Sequence, residues 1–375
     1  MFTSRAAVGF PDLEQRMKTQ AALVGTGSWA RSAHVPALRA AGVDIVACVS
    51  GSHREASSAA DDLSIPHAFG DLEAMMESGL DFSMIVIAAP DAVHPVAARL
   101  ALENGVAVFC EKPIANEATT ASDLAQLASR SGIPATVGYS FRYSESLQML
   151  RQHIREGRFG TPWLVELWEH NPQFHPRTGK SMNWKGDPRH SAAGALFEYG
   201  SHAVDLAEWL LGPATSVATN FGLFLPEAKL DDVATLQLSF QSGCLGTLVA
   251  SWLLPGSFPG IRVRLHGSEG SVEVELSDML PSGERYRLIQ SDGQPGEEFR
   301  VTPLDAGEAT YAARHMRDFV ALVQSPRLNY GDIMPTFDDG ARAQTVLSAA
   351  VEATQNRMQI NAPPPTDSFH PLEML

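Results

Sequence analysis

A glycine-rich turn that follows an apolar strand is the feature that most constrains how this chain can fold. Residues 21–24 form the apolar run, and Gly25-Thr26-Gly27-Ser28-Trp29-Ala30 follows it directly. In such a turn Gly25 permits a tight bend, Gly27 lets the backbone approach a pyrophosphate, and Ala30 replaces a third glycine against the strand. Backbone N–H groups and the dipole of the next helix then face the phosphates. The turn therefore predicts a dinucleotide-binding site.

The residues after this turn predict a doubly wound α/β domain. We expect a helix over residues 28–41, kinked or bounded at Pro36, and a buried strand over residues 44–49, so that the β-α-β unit takes about 30 residues. Strands are also expected at residues 67–69, 82–87, 106–109 and 135–137, with helices between them. Such alternation gives a parallel sheet that binds ligands at the carboxyl ends of its strands. The loops at residues 25–30, 90–94 and 111–113 should therefore line one crevice.

Consecutive strands indicate a second domain of the α+β class. Strands are expected at residues 163–169, 216–224, 234–240, 245–252, 261–266 and 271–276, and short turns between them predict a largely antiparallel, open sheet. Helices are expected at residues 145–156, 195–211, 309–325 and 337–356. The chain thus divides into an N-terminal tail (1–18), a Rossmann domain (19–142) and a substrate and oligomerisation domain (143–375).

Composition narrows the class of partner. A net charge of -15 argues against a nucleic-acid or anionic membrane surface and favours a small molecule. Cys48, Cys110 and Cys244 lie in apolar runs without a CxxC pair, which predicts buried, reduced thiols. Neither a membrane span nor a signal-peptide core is evident, so we predict a cytoplasmic protein.

Lys112 is the first candidate for chemistry. Pro113 biases the residue before it toward an extended conformation, which aims the Lys112 side chain reproducibly at the end of a strand. There its ammonium group could hydrogen-bond a substrate hydroxyl and favour the ionised form. Taken alone, a surface lysine in a turn explains the pattern equally well.

Glu198, His202 and Asp205 are the second candidates. Spacings of four and three place them on one helical face, so that a carboxylate can orient and polarise the imidazole. A histidine with a pKa near neutrality can take a proton from an alcohol while hydride leaves its carbon. On spacing alone, a core histidine beside two structural acids is the stronger interpretation. Gly194 and Gly200 favour a site, because glycine weakens an ordinary helix.

Several motifs in order make the chain similar to the Gfo/Idh/MocA oxidoreductases, a family of inositol, glucose–fructose and related sugar dehydrogenases. The resemblance spans about residues 19 to 357. It rests on Gly25-Thr26-Gly27, His34-Val35-Pro36-Ala37-Leu38, Ala89-Pro90 through His94, Glu111-Lys112-Pro113, Gly138-Tyr139-Ser140-Phe141-Arg142-Tyr143, Gly194 through His202 with Asp205-Leu206, Asp231-Asp232-Val233-Ala234 and His266-Gly267-Ser268-Glu269-Gly270.

The resemblance implies hydride transfer between a nicotinamide and a carbon of a sugar, inositol or related polyol, in a homodimer or homotetramer. Lys112 and His202 match the catalytic lysine and histidine of the family. Glu198 stands where the family usually has aspartate, which puts the geometry of its pairing with His202 in doubt. The implied cofactor-binding residues are Gly25, Thr26, Gly27, Ser28, Trp29, Ala89, Pro90, His94, Glu111, Lys112 and Arg142.

The end of the second strand bears on the choice of cofactor. An acidic residue there would bind the ribose 2′-hydroxyl of NAD, but this chain has Ser50-Gly51-Ser52-His53-Arg54. Ser50, Ser52 and Arg54 could bind a 2′-phosphate, so we expect NADP(H) to be preferred. If these residues only cap the next helix, NAD(H) remains open.

The segment between residues 168 and 190 should face the nicotinamide. Substrate-binding candidates, together with Lys112, Glu198 and His202, are His170, Trp184, Lys185 and Arg189, although each also suits a solvated loop. The histidines lack a compact ligand spacing, so no metal is predicted. Two alternatives to a dehydrogenase stay open: a cofactor-binding sensor or regulator without efficient turnover, and a lyase or hydrolase that oxidises transiently with tightly bound NAD.

Overall fold

The computed structural model describes residues 19–254, 260–276, 284–289, 295–301 and 310–355, so the predicted tail over residues 1–18 lies outside it. The first sheet has six parallel strands in the order β3-β2-β1-β4-β5-β6. They are β1 (Gln20–Val24), β2 (Asp44–Val49), β3 (His67–Phe69), β4 (Met84–Ile87), β5 (Ala107–Cys110) and β6 (Ala135–Val137). Helices connect them: α1 (Val35–Ala40), α2 (His53–Leu63), α3 (Leu72–Met76), α4 (His94–Glu103) and α5 (Ala118–Ser131). The predicted doubly wound sheet is confirmed.

Pro36 lies at a change of helix type. The helix expected over residues 28–41 consists of a π-helical turn, Ala30–His34, followed by α1. Pro36 occupies the first turn of α1, directly after the π-helical turn.

The second sheet has eight strands in the order β14-β13-β12-β11-β7-β10-β9-β8, and it is antiparallel except for the β7–β10 pair. The predicted open, largely antiparallel sheet is thus confirmed. Its strands are β7 (Pro162–His170), β8 (Ala214–Gly222), β9 (Val233–Phe240), β10 (Leu245–Ser251), β11 (Gly260–Gly267), β12 (Gly270–Leu276), β13 (Glu284–Ile289) and β14 (Pro295–Val301).

Strands β13 and β14 were not predicted, because charged residues interrupt their apolar pattern. In the sheet the arginines of β13 pair with glutamates of β12: Arg285 with Glu275 and Arg287 with Glu273.

The remaining α-helices are α6 (Glu145–Arg155), α7 (Ser201–Leu211), α8 (Tyr311–Gln324) and α9 (Phe337–Gln355). Met316 and Phe319 of α8 share a core with Leu23 and Leu38 of the first sheet and α1. Helix α9 packs against α5 of the first domain and against α7 and β8 of the second. The division at residue 143 therefore stays a prediction. Within the described ranges, no helix combines the length and apolarity needed to cross a membrane.

Candidate active site

The carboxyl ends of β1, β2, β4 and β5 bring the predicted loops together. The sheet order reverses between β1 and β4, so a crevice opens where the glycine turn lies. The N–H of Gly25 donates to the carbonyl of Val49 at 2.9 Å, and the N–H of Ala88 donates to the carbonyl of Val24 at 2.7 Å. These bonds fix the turn between its two neighbouring strands.

The two glycines of the turn meet different requirements. Gly25 has a φ of +93°, and a Cβ there would overlap the carbonyl of Ala88. A Cβ on Gly27 would meet no protein heavy atom within 4 Å. The fold itself demands glycine only at Gly25, whereas the space over Gly27 fits the close approach of a dinucleotide pyrophosphate.

The residues after β2 include both a helix cap and candidates for contact with the cofactor, the two interpretations given above. Ser52 accepts a hydrogen bond from the N–H of Glu55 at 3.3 Å and so caps α2. Thr26 donates to the hydroxyl of Ser50 at 3.1 Å, which links the glycine turn to this strand end. Arg54 is exposed and has no partner among the described residues. Ser50 and Arg54 thus remain the stronger candidates for contact with a cofactor ribose.

Glu111 is held by the first π-helical turn. Its Oε1 accepts from the indole N–H of Trp29 at 3.0 Å and lies 2.8 Å from Nε2 of His34. Burial alone would raise the pKa of Glu111, but His34, Lys112 and Trp29 lower it to about 2. The carboxylate therefore joins the start of the glycine-turn helix to the end of β5. Its present contacts are with protein groups.

His94 has a similar linking role. Its ring nitrogens lie 2.7 Å from the carbonyl oxygen of Pro113 and 2.9 Å from that of Ala89. The imidazole therefore fixes the Ala89-Pro90 loop against the Lys112-Pro113 turn, whose peptide bond is cis.

Lys112 reaches from the first domain to the second. Its Nζ donates to the backbone carbonyl of Glu198 at 2.6 Å and lies 3.8 Å from Oε1 of the same residue. Burial alone would lower the pKa of Lys112, but Glu198, Glu111, Glu169 and Asp91 raise it above its ordinary value. The ammonium group stays charged and is available to an oxyanion.

Glu198 is hydrogen-bonded to a lysine and not to His202, although its charge opposes the lowering of the His202 pKa. Its Oε1 accepts from Nζ of Lys185 at 2.7 Å. Residues Leu196–Gly200 form a second π-helical turn before α7, so the i,i+4 alignment of an ordinary α-helix does not apply. Burial alone would raise the pKa of Glu198, but Lys112 and Lys185 hold it at about 2.

His202 lies on α7 beside Phe141 and Tyr139, with ring centroids 4.8 and 5.8 Å away. Its Nδ1 is buried and has no hydrogen-bond partner in the described part of the chain. Burial, reinforced by Lys112, lowers the pKa of His202 to about 3. The imidazole is therefore neutral at pH 7.

Arg142 and Asp205 form a buried ion pair with each other. Arg142 also donates to the carbonyl of Asp332 and pairs with Asp339, so its guanidinium is occupied by protein groups. It borders a separate cavity of about 380 Å³ that Trp209 also lines. Arg142 is accordingly left out of the proposed cofactor site, and Asp205 does not orient His202.

The substrate-binding residues predicted in and after β7 differ in where the structure places them. Lys185 reaches Glu198, and half-buried His170 ends β7. The side chain of Arg189 is 83% exposed and pairs with Asp187. Trp184 lies in the short helix Asn183–Gly186, but its side chain is outside what the structure describes.

Two buried acidic residues that the sequence analysis did not single out act on Lys112. Asp91 is 7% exposed and hydrogen-bonds Ser191; burial raises its pKa. Glu169 is 5% exposed and faces inward on β7, in line with Val165 and Leu167. A carboxylate at a core-facing position of an alternating strand was the available signal. For Asp91 the sequence offered no signal other than its position in the loop over residues 90–94.

Asp231 fixes the backbone at the start of the second π-helical turn. Its two carboxylate oxygens accept from the N–H groups of Gly194 at 2.6 Å and Leu196 at 2.8 Å, just before Glu198. A Cβ on Gly194 would overlap the carbonyl of Asp231. Among the described side chains, no group of three or more His, Cys, Asp or Glu is arranged to hold a metal ion.

Two family models match more than half of the chain. Residues 19–139 match an oxidoreductase family with an NAD-binding Rossmann fold, and residues 147–273 match the GFO/IDH/MocA C-terminal domain. The chain belongs to the Gfo/Idh/MocA family. The prediction of a nicotinamide-dependent oxidoreductase is confirmed, and the matched Rossmann domain is of the NAD-binding kind.

Individual relatives are distant. D-apiose dehydrogenase of Paraburkholderia graminis is 27% identical over 264 residues, covering 69% of this chain and 68% of that protein. The 2,7-anhydro-N-acetylneuraminate hydratase of Escherichia coli is 26% identical over 220 residues, covering 56% of each. A levoglucosan dehydrogenase solved with NADH and levoglucosan has a TM-score of 0.78 at 19% identity, covering 90% of this chain and 98% of that one. At that identity the structure supports the fold alone.

Proposed function

We propose that this oxidoreductase transfers a hydride between a nicotinamide and a carbon of a sugar, inositol or related polyol. The observation that carries the proposal is the meeting of charged Lys112 with Glu198 and neutral His202, next to the glycine turn. The named relatives act on sugars, which supports this substrate class.

Each residue has a separate part in the reaction. A bound nicotinamide supplies the acceptor or donor for the hydride. In the oxidative direction, Lys112 stabilises the developing alkoxide and His202 accepts the hydroxyl proton. The carboxylate of Glu198 is an acceptor for a substrate hydroxyl, and its charge raises the pKa of His202 without a hydrogen bond between the two side chains. His170 and Lys185 border the substrate.

The cofactor is bound by the glycine turn and the strand ends beside it. Residues proposed for contact are Gly25, Thr26, Gly27, Ser28, Trp29, Ser50, Arg54, Ala89, Pro90 and Lys112. Glu111 and His94 position these loops through the contacts described above.

The direct test is a panel of sugars and polyols with NAD and NADP, followed by absorbance of the reduced nicotinamide. Turnover of at least one compound supports the proposal. Tight cofactor binding with no turnover across the panel contradicts it and favours the sensor.

We also propose a preference for NADP(H), on the ground that Arg54 is exposed four residues after Ser50 and that residues 50–54 contain no acid. Replacing Arg54 with alanine should weaken NADP binding about tenfold or more and leave NAD binding unchanged. Calorimetric Kd values for both cofactors measure this. Equal or tighter binding of NAD by the unaltered protein contradicts the preference.

The hydratase relative favours one second candidate, a lyase-type reaction that oxidises its substrate transiently. Such an enzyme retains its nicotinamide, which copurifies and shows no net change during turnover. Product analysis by mass spectrometry, in parallel with absorbance, distinguishes it from a dehydrogenase.

A cytoplasmic location and a homodimer or homotetramer complete the proposal. Cys48, Cys110 and Cys244 are buried and unpaired, which suits a reducing compartment. Cell fractionation and light scattering test these two statements.

A further inference from the structure

Lys185 makes the shortest contact to the carboxylate of Glu198. Its Nζ lies 2.7 Å from Oε1, whereas Nζ of Lys112 lies 3.8 Å from the same oxygen. Lys112 instead donates at 2.6 Å to the backbone carbonyl of Glu198. The two lysines therefore have different contacts: one orients the side chain, and the other is fixed by the backbone.

Lys185 is held in place by its own segment. It lies in the short helix Asn183–Gly186, where its N–H donates to the carbonyl of Met182 at 3.1 Å. Met182 is buried in a small apolar cluster with Phe174 and Trp252. Only 26% of the Lys185 side chain is exposed, so it differs from an ordinary flexible surface lysine.

The charges around Glu198 show why the contact with Lys185 matters for the ionisation of its carboxyl group. Three other carboxylates, Glu111, Glu169 and Asp91, act on Lys112. Lys185 adds to Lys112 in keeping Glu198 ionised, since both lysines lower the pKa of its carboxyl group. With Oε1 occupied by Lys185, Oε2 has no partner among the described residues.

We infer that Lys185 is a positioning residue that fixes Oε1 of Glu198, so that Oε2 accepts a hydroxyl on the carbon next to the one oxidised. The glutamate side chain reaches Lys185, and this contact sets which substrate hydroxyl Oε2 can accept. The inference rests on the proposed function, since it specifies which substrate group is recognised.

The test is a double-mutant cycle in kcat/KM with a substrate found in the panel. Lys185→Met and Glu198→Gln should each lower kcat/KM about 10- to 100-fold, mainly through KM, and the double variant should lose no more than the worse single variant. Lys185→Arg should restore most of the loss, and Kd for the nicotinamide should not change. Lys180→Met, an exposed lysine in the same segment, is the matched control.

A deoxy analogue without the neighbouring hydroxyl sharpens this test. Wild type and Lys185→Met should turn it over equally, because the recognised group is missing. A loss for the analogue as large as for the full substrate overturns the inference, as do additive effects in the cycle.

The same cycle in melting temperature needs no substrate. Lys185→Met and Glu198→Gln should have non-additive effects, since each removes the same ion pair. Additive shifts overturn the inference and leave the proposed function standing. If wild type turns over no sugar or polyol, the proposed function fails and the role given to Lys185 fails with it, whatever the melting temperatures show about the pair.

Discussion

The two π-helical turns of the described chain hold the two halves of one dipeptide, Glu111-Lys112, and they do so with different groups. The first turn, Ala30–His34, presents side chains: His34, with Trp29 just before it, binds the carboxylate of Glu111. The second, Leu196–Gly200, presents a backbone carbonyl, that of Glu198, to the ammonium of Lys112. One turn therefore joins the cofactor loops, and the other positions the charge beside the proposed reaction.

This difference indicates that the two turns have separate roles. Changes around the first turn should alter cofactor binding, and changes around the second should alter turnover. π-Helical turns occur often at functional sites because the wide turn redirects side chains and carbonyls. Each of the following predictions tests whether the two halves are separable.

Lys112→Met should have the largest effect. Removal of the cation takes away stabilisation of the alkoxide, and kcat should fall about 10³-fold or more. Because the pyrophosphate contacts are untouched, Kd for the cofactor should change far less. Steady-state kinetics and calorimetry measure the two quantities, with exposed Lys229→Met as control. Turnover within about threefold of wild type would remove Lys112 from the chemistry.

His202→Ala should have the next largest effect, a loss of about 10²- to 10³-fold in kcat with cofactor binding retained. Its neutral imidazole accepts the hydroxyl proton in the proposed reaction. Exposed His67→Ala is the control. If His202→Ala weakens cofactor binding as much as it slows turnover, the two halves of the site are not separable.

The sequence predicted the first half of the site better than the second. The glycine turn and the strand ends beside it could be located because parallel strands place their carboxyl ends at one edge. The sheet order and the linking roles of Glu111 and His94 depend on contacts between loops far apart in sequence.

The second half was harder because its prediction assumed a regular α-helix. Spacing placed Glu198 and Asp205 beside His202, but the π-helical turn directs Glu198 to lysines, and Asp205 pairs with Arg142. No spacing rule reveals a π-helical turn, although Gly194 and Gly200 marked the helix as unusual. Lys185 was proposed as a substrate contact, and its partner Glu198 became visible only in three dimensions.

Gly27→Ala should act only on the first half. Its added methyl group meets no protein atom, so the melting temperature should not change, but it occupies space over the turn and should weaken cofactor binding roughly 10- to 100-fold. Gly25→Ala is the contrasting variant, since its positive φ and the carbonyl of Ala88 should lower the melting temperature as well. Unchanged cofactor affinity in Gly27→Ala would refute the assignment of the turn.

The smallest predicted effect concerns the loss of folding stability at acid pH. Two buried histidines, one in each half, should contribute to this loss. Burial lowers the pKa of His202, and of His315 beside Phe109, to about 3. An unfolded histidine titrates near 6.5, so between about pH 6.5 and pH 3 the unfolded state binds more protons than the folded state. Stability should therefore rise with pH in this window and be lost as pH falls, by up to about 1.4 kcal/mol per pH unit for each histidine.

Replacing either histidine with glutamine should make the free energy of unfolding less steep against pH between 6.5 and 3, as measured by urea denaturation. The slope is the informative quantity, because His315→Gln also loses the contact between His315 and the hydroxyl of Thr136 and so lowers stability at every pH. Only the His202 variant should lose turnover. Exposed His67→Gln should leave both slope and turnover as in wild type, and an unaltered slope in both buried variants would mean that other groups dominate acid unfolding.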